Sequence, residues 1–149
     1  GRRLARDIGG SDPERMTALR VAETVEAFFA NRPNVRVSVC RDREQLQRDY
    51  PLLMAVARAS NDRHAPCVIS LEYRSPDQSA VEEELFLVGK GVTYDTGGHD
   101  IKISGNMVNM SKDKCGAAAV AGFMATVAGL APKRVNVTAR MAMVRNSVG

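Results

Sequence analysis

Apolar and polar positions change period several times along the chain, and each change predicts an element. Leu19, Val21, Ala22, Val25, Phe28 and Phe29 recur at roughly helical spacing. Ser11-x-x-Glu14, with Pro13 in the first turn, has the form of a helix start. Together they predict a helix from about Pro13 to Ala30, stopping before Pro33. Val35-Arg36-Val37-Ser38-Val39 alternates and predicts a half-buried strand. Asp42 can cap a short helix from Arg43 to about Arg48, and Pro51 can open another through Arg58. Cys67 to Tyr73 reads as a strand. Arg74 to Glu83 is polar, holds Pro76 and reads as a surface loop.

The second half is more apolar. Leu85-Phe86-Leu87-Val88 is a continuous run, the pattern of a strand buried on both faces. Five glycines from Gly89 to Gly105 predict a loop that turns sharply or approaches something closely. Asp113 to about Leu130 predicts an Ala/Gly-rich helix suited to close packing on a sheet. Val135, Val137, Ala139 and Met141 alternate in a final strand. Alternating strands and helices predict an α/β fold. We expect three layers, with a mixed sheet of the Val35, Val68, Phe86 and Val137 strands and the Pro13 and Asp113 helices packed on it.

Composition narrows the function classes. Apolar residues at 44% and charged residues at 26% are globular usage, and 149 residues suffice for one domain with a core. The 21 Lys+Arg against 17 Asp+Glu leave +4, too little to imply a nucleic-acid or membrane partner. Cys40, Cys67 and Cys115 are an odd number with no CxxC, which favours a reducing compartment and a cytoplasmic location. The uncharged stretch Gly116 to Pro132 is 17 residues of mostly Ala and Gly, too short and weakly apolar to span a bilayer. Arg2, Arg3, Arg6 and Asp7 interrupt any secretory leader. The opening Gly1 and the strand-like run just before the last residues read as a piece of a larger protein.

Candidate chemistry concentrates between Leu87 and Ala119. A buried strand is expected to run into a glycine-rich loop bearing Lys90, Asp95, Asp100 and Lys102, with Asp113 at the start of the next helix. Strand ends of this kind hold ligands in α/β proteins. Asp95 and Asp113 could bind a hard or borderline cation, or be a loop carboxylate and a helix cap. The GxxxxGK[ST], GxGxxG, HExxH and GxSxG patterns are absent. His64 and His99 have no partner at ligand spacing. Asn109-x-Ser111 and Asn136-x-Thr138 match the glycosylation pattern and read as chance matches.

The run V-G-K-G-V-T-Y-D-T-G-G, then I-K, then N-M-x-x-M-x-x-D-x-x-G-A-A resembles the metal-binding core of the leucine (cytosol) aminopeptidase family. The family pattern places a Lys seven residues, and a second Asp eighteen residues, after the Asp of V-G-K-G-x-x-x-D. Here those positions are Lys102 and Asp113, counted from Asp95. The similarity covers nearly the whole chain, and its variants look closest to an animal leucine aminopeptidase-like branch. It implies a zinc-peptidase-like fold, of which this chain would be the N-terminal portion of the catalytic domain. It implies Lys90, Asp95 and Asp113 as ligands of two divalent ions, zinc or manganese. Lys102 would be the catalytic lysine, and Met110 would line the pocket for the substrate's first side chain, unless it packs in the core. Peptides with a leucine-like first residue would be the substrates, and a homo-oligomer, a hexamer, the assembly. The family's remaining carboxylates and an arginine lie in an N-T-D-A-E-G-R motif that these residues do not contain. Asp100 matches no functional position and reads as a solvated loop carboxylate. Cys115 stands where many members have Gly and is expected to be a small buried residue, though a helix N-terminus could acidify it. The alternative is a non-catalytic homologue serving as a binding or assembly module.

Overall fold

Two alternating segments, Cys67–Tyr73 and Val135–Asn146, become the centre of a four-stranded sheet. The computed structural model describes residues 1–148. In chain order the elements are α1 (Arg2–Gly10), α2 (Ala18–Phe29), β1 (Val35–Cys40), α3 (Arg43–Asp49) and α4 (Pro51–Val56). They are followed by β2 (Cys67–Tyr73), β3 (Glu83–Asp95), α5 (Cys115–Leu130) and β4 (Val135–Asn146). The strand order is β1-β2-β4-β3. β2 pairs antiparallel with both β1 and β4, and β3 runs parallel to β4 after the crossover through α5. This is the mixed α/β fold that the pattern predicts.

The alternation decides the layers. Cys67, Ile69, Leu71 and Tyr73 lie in register with Met143, Met141, Ala139 and Val137. All eight are buried in one core with Val21, Ala22, Val25 and Phe29 of α2, Ala117, Ala121 and Met124 of α5, and Leu4 and Ile8 of α1. Val68 points to the opposite face, where Leu46 of α3 and Met54 of α4 cover it in a smaller cluster. Asp42 caps α3 as expected, accepting from the Gln45 N–H at 2.8 Å.

Four local expectations are corrected. The Leu85–Val88 run is not buried on both faces: β3 is an edge strand, and Phe86 and Val88 are 71% and 80% exposed. Only Leu87 of the central pair packs on the main core. A continuous apolar run marks a strand without saying which of its faces is covered. The helix start at Ser11 and Pro13 is also displaced. Ser11 closes α1, its hydroxyl donating to the Asp7 carbonyl, and Thr17 caps α2 by accepting from the Arg20 N–H. Helix α1 itself went unpredicted, although Leu4 and Ile8 at i, i+4 are its buried stripe. Finally, the glycine-rich loop begins only after Asp95, because Gly89 and Gly91 lie inside β3.

Gly89 explains that last difference. A Cβ there would sit 2.5 Å from the Ala117 Cα and 2.9 Å from its nitrogen. The glycine serves a close approach of α5 to β3, not a turn.

Candidate metal centre

The parallel β3 and β4 end together, and Asp95 and Lys102 lie at that end. Asp95 terminates β3 opposite Asn146 of β4, after a register shift between Val92 and Asp95. Its Oδ1 accepts from the Asn146 side-chain nitrogen at 2.7 Å and from the Gly97 N–H at 2.9 Å. Its Oδ2 lies 3.6 Å from the Lys102 ammonium. The chain returns to this point because Gly97, at φ +90°, lets it fold tightly. A Cβ on Gly97 would sit 2.3 Å from the Asp100 carbonyl oxygen. The Lys102 N–H then donates to the Thr96 carbonyl at 2.9 Å and fixes the loop's return.

Lys90 and Asp113 form the second pair. Lys90 projects from β3, and Asp113 lies between the 3-10 turn Met110–Lys112 and α5. Their Nζ and Oδ2 atoms are 2.9 Å apart. Asp113 does not cap α5, whose start has no side-chain cap. Its Oδ2 is buried and has no hydrogen-bond partner of good geometry; its near neighbour is the Lys90 ammonium. The closeness follows from the Gly89 contact, which seats the start of α5 against β3.

These pairs share one field. The Asp113 carboxylate raises Lys90 above the ordinary lysine value, with burial opposing and Asp95 adding a smaller pull upward. Burial pushes the Asp95 carboxyl up, but the hydrogen bonds from Gly97 and Asn146, with the Lys102 and Lys90 charges, bring it below the ordinary carboxylate value. Asp95, Asp100, Lys102, Asn106 and Asn146 line an open cleft of about 660 Å³. The structure therefore pairs Asp95 with Lys102 at the end of β3, and Lys90 with Asp113 five residues earlier on the same strand, outside the cleft lining. Asp100 is exposed on the cleft rim. Met110 is half-buried on the short 3-10 turn, in neither the main core cluster nor the cleft lining.

The donor set suits a cation only in part. Among the described residues, no three His, Cys, Asp or Glu side chains converge. The buried Asp113 Oδ2, met only by the Lys90 ammonium, and the Asp95 Oδ2, free of backbone donors, are the oxygens a cation could take. Oxygen and neutral nitrogen ligands suit zinc or manganese.

The catalytic-domain model of the cytosol aminopeptidase family matches residues 3–149. The chain belongs to that family. A relative from Caenorhabditis elegans named as an aminopeptidase is 43% identical over 148 residues, covering 98% of this chain and 28% of its own length. Cytosol aminopeptidase from Coxiella burnetii superposes with a TM-score of 0.85 at 30% identity, over 98% of this chain and 30% of that one. The bottromycin maturation enzyme BotP, solved in complex with Mn, matches at TM-score 0.85 and 28% identity, over 97% of this chain and 30% of its own. The cytosol aminopeptidase domain here thus spans under a third of the length of these relatives.

Sequence reasoning missed two residues near this site. Asn146 was not read as a partner of Asp95; the β3–β4 register brings the two together. Lys114 is fully buried, its ammonium donating to the Ser11 carbonyl at 2.9 Å and to the Ser111 carbonyl. Burial lowers its pKa, with Cys115 and Asp12 opposing. It ties the end of α1 to the turn that carries Asp113. No periodicity flags it, since a lysine inside a polar run reads as exposed.

Cys115 is also corrected: it is exposed rather than buried. Cys67 is buried, and burial pushes its thiol up to about 12. A group with so raised a pKa stays a neutral thiol at pH 9, while the reactive form is the thiolate. Iodoacetamide at pH 8–9 is therefore expected to label Cys115 in the folded protein and Cys67 only after unfolding, read by peptide mass mapping. Labelling of Cys67 under native conditions would contradict this packing.

No helix among the described residues is long and apolar enough to cross a membrane. The Asn136 side chain is buried and hydrogen-bonded to Ser75, Gln78 and Glu84, so its glycosylation pattern serves the fold.

Proposed function

We propose that this chain is part of the catalytic domain of a metal-dependent aminopeptidase, which releases N-terminal residues, with a leucine-like preference, from peptides. The carrying observation is the two ion pairs along β3, Asp95–Lys102 at its end beside β4 and Lys90–Asp113 five residues before it. Lys90, Asp95 and Asp113 would hold divalent ions, zinc or manganese, with further ligands supplied by the rest of the protein. Bound there, such ions supply an activated water and a grip on the substrate's free amino group.

The chain's own residues prepare that chemistry. Asp95 offers Oδ2, because Oδ1 is occupied by two donors. Lys90, paired with Asp113, would hold the ion through its neutral amine, its proton passing to solvent. Lys102 stands over the open cleft with its ammonium free of any fixed carbonyl among the described residues. There it can hold the negative charge that grows on the carbonyl oxygen of the scissile bond. Met110, on the turn leading to Asp113, would line the pocket for the first side chain. A cytoplasmic homo-oligomer, a hexamer, fits the same family reading.

The test is direct. The full-length protein with zinc or manganese is expected to release the first residue of short peptides, and a chelator should abolish the release. The 149-residue chain alone, with three ligands, should show no turnover. A full-length protein that binds metal but frees no N-terminal residue would overturn the enzyme reading in favour of a non-catalytic module.

A further inference from the structure

We propose that Asn146 is the positioning residue for Asp95, turning that carboxylate so that a single oxygen is presented to the metal; this rests on the metal-centre reading above. Asn146 is the last residue of β4, and the shift in β3 register after Val92 sets Asp95 directly opposite it. Its amide nitrogen is 2.7 Å from Asp95 Oδ1. An ionised carboxylate only accepts, so the nitrogen end of the amide must face it. The Gly97 N–H, in the loop that follows Asp95 on its own strand, donates to the same oxygen at 2.9 Å. With Oδ1 engaged twice, rotation of the carboxylate is blocked and Oδ2 is the oxygen left for a cation.

Asn146 is itself held through its backbone, and its neighbour Arg145 is anchored as well. The Asn146 carbonyl accepts from the Thr96 N–H at 3.0 Å and from the Thr96 hydroxyl at 2.8 Å. The preceding Arg145 is bonded to Glu14 at 3.0 Å and lies over the Tyr94 ring at 5.3 Å. The end of β4 is thus pinned from the α1–α2 connection and from β3, and the amide sits at a fixed point. Such hydrogen bonds behind a metal carboxylate orient it and reduce the entropy lost on binding.

The test uses the full-length protein stripped of metal, with Asn146→Ala and the near-isosteric Asn146→Leu. Zinc and manganese affinity is measured by competition against a chromophoric chelator, and turnover is followed against metal concentration. Both variants are expected to bind metal about 10–100-fold more weakly. Turnover should return toward the parent value at saturating manganese, since the defect is in metal occupancy and not in the chemistry. Affinity equal to the parent's in either folded variant would overturn the positioning role and leave the aminopeptidase reading standing. So would a turnover loss that saturating metal does not restore, or loss of the fold in both variants, which would make Asn146 purely structural. A parent protein that binds neither metal would overturn the metal-centre reading and this proposal with it.

Discussion

Lys102→Ala in the full-length protein is expected to lower kcat by about a hundred- to a thousand-fold while leaving metal content unchanged. One lost donor to a developing oxyanion costs about 2.7–4 kcal/mol, which sets that range. The fold should tolerate the change. Lys102 anchors its loop through its backbone N–H to the Thr96 carbonyl, a bond alanine keeps. Its side chain touches the site only through the 3.6 Å approach to Asp95, whose Oδ1 remains fixed by Gly97 and Asn146. Removing a positive charge beside Asp95 should, if anything, favour a cation there. Asp95→Ala is the contrast: it removes a ligand and should lose metal and activity together. Metal analysis beside steady-state kinetics separates the two. An unchanged kcat in Lys102→Ala would remove the catalytic assignment, and parallel loss of metal would make Lys102 part of the binding site instead.

The candidate site was visible in the sequence only through the family resemblance, and the structure shows what the matched spacing corresponds to in the backbone. Asp95 ends a strand, Lys102 closes a glycine-turned loop, and Asp113 precedes the helix that packs on that strand. The intervals of seven and eighteen residues are the lengths of those connections. The β2 and β4 strands were legible from the pattern itself, since one buried face makes period two visible. What the pattern could not carry is whatever depends on distant residues. The Phe86–Val88 run announces a strand, yet its exposure depends on whether anything lies beyond β3 or over that face. Asn146 and Asp95 are 51 positions apart and meet only through parallel register. Lys114 looks solvated until Ser11, 103 positions away, supplies its acceptor. The missed α1 is short and rich in arginine, so its two-residue apolar stripe is faint beside the longer periodic run that follows.

Gly89→Ala is expected to cost about 1–3 kcal/mol of stability, the usual penalty for forcing volume into a packed interior, and to weaken metal binding as well. The added Cβ would lie 2.5 Å from the Ala117 Cα, 2.9 Å from its nitrogen and 3.0 Å from the Gly116 carbonyl oxygen. All three are backbone atoms, so no side-chain rotation relieves the clash. Favourable carbon contacts need about 3.5–4.0 Å, so the start of α5 must move away from β3 by roughly 1 Å. That movement acts on the bridge between the two elements. Lys90 follows Gly89 on β3 and Asp113 lies just before α5, so the 2.9 Å approach of their side chains depends on the same seating. Gly129→Ala is the matched control. It lies exposed in α5 with open space around its Cβ position, and alanine there should stabilise by about 0.5–1 kcal/mol through helix preference alone. Thermal unfolding and metal titration of both variants give the comparison. Gly89→Ala that matches the parent in both would mean that α5 is free to shift without disturbing the carboxylate it carries.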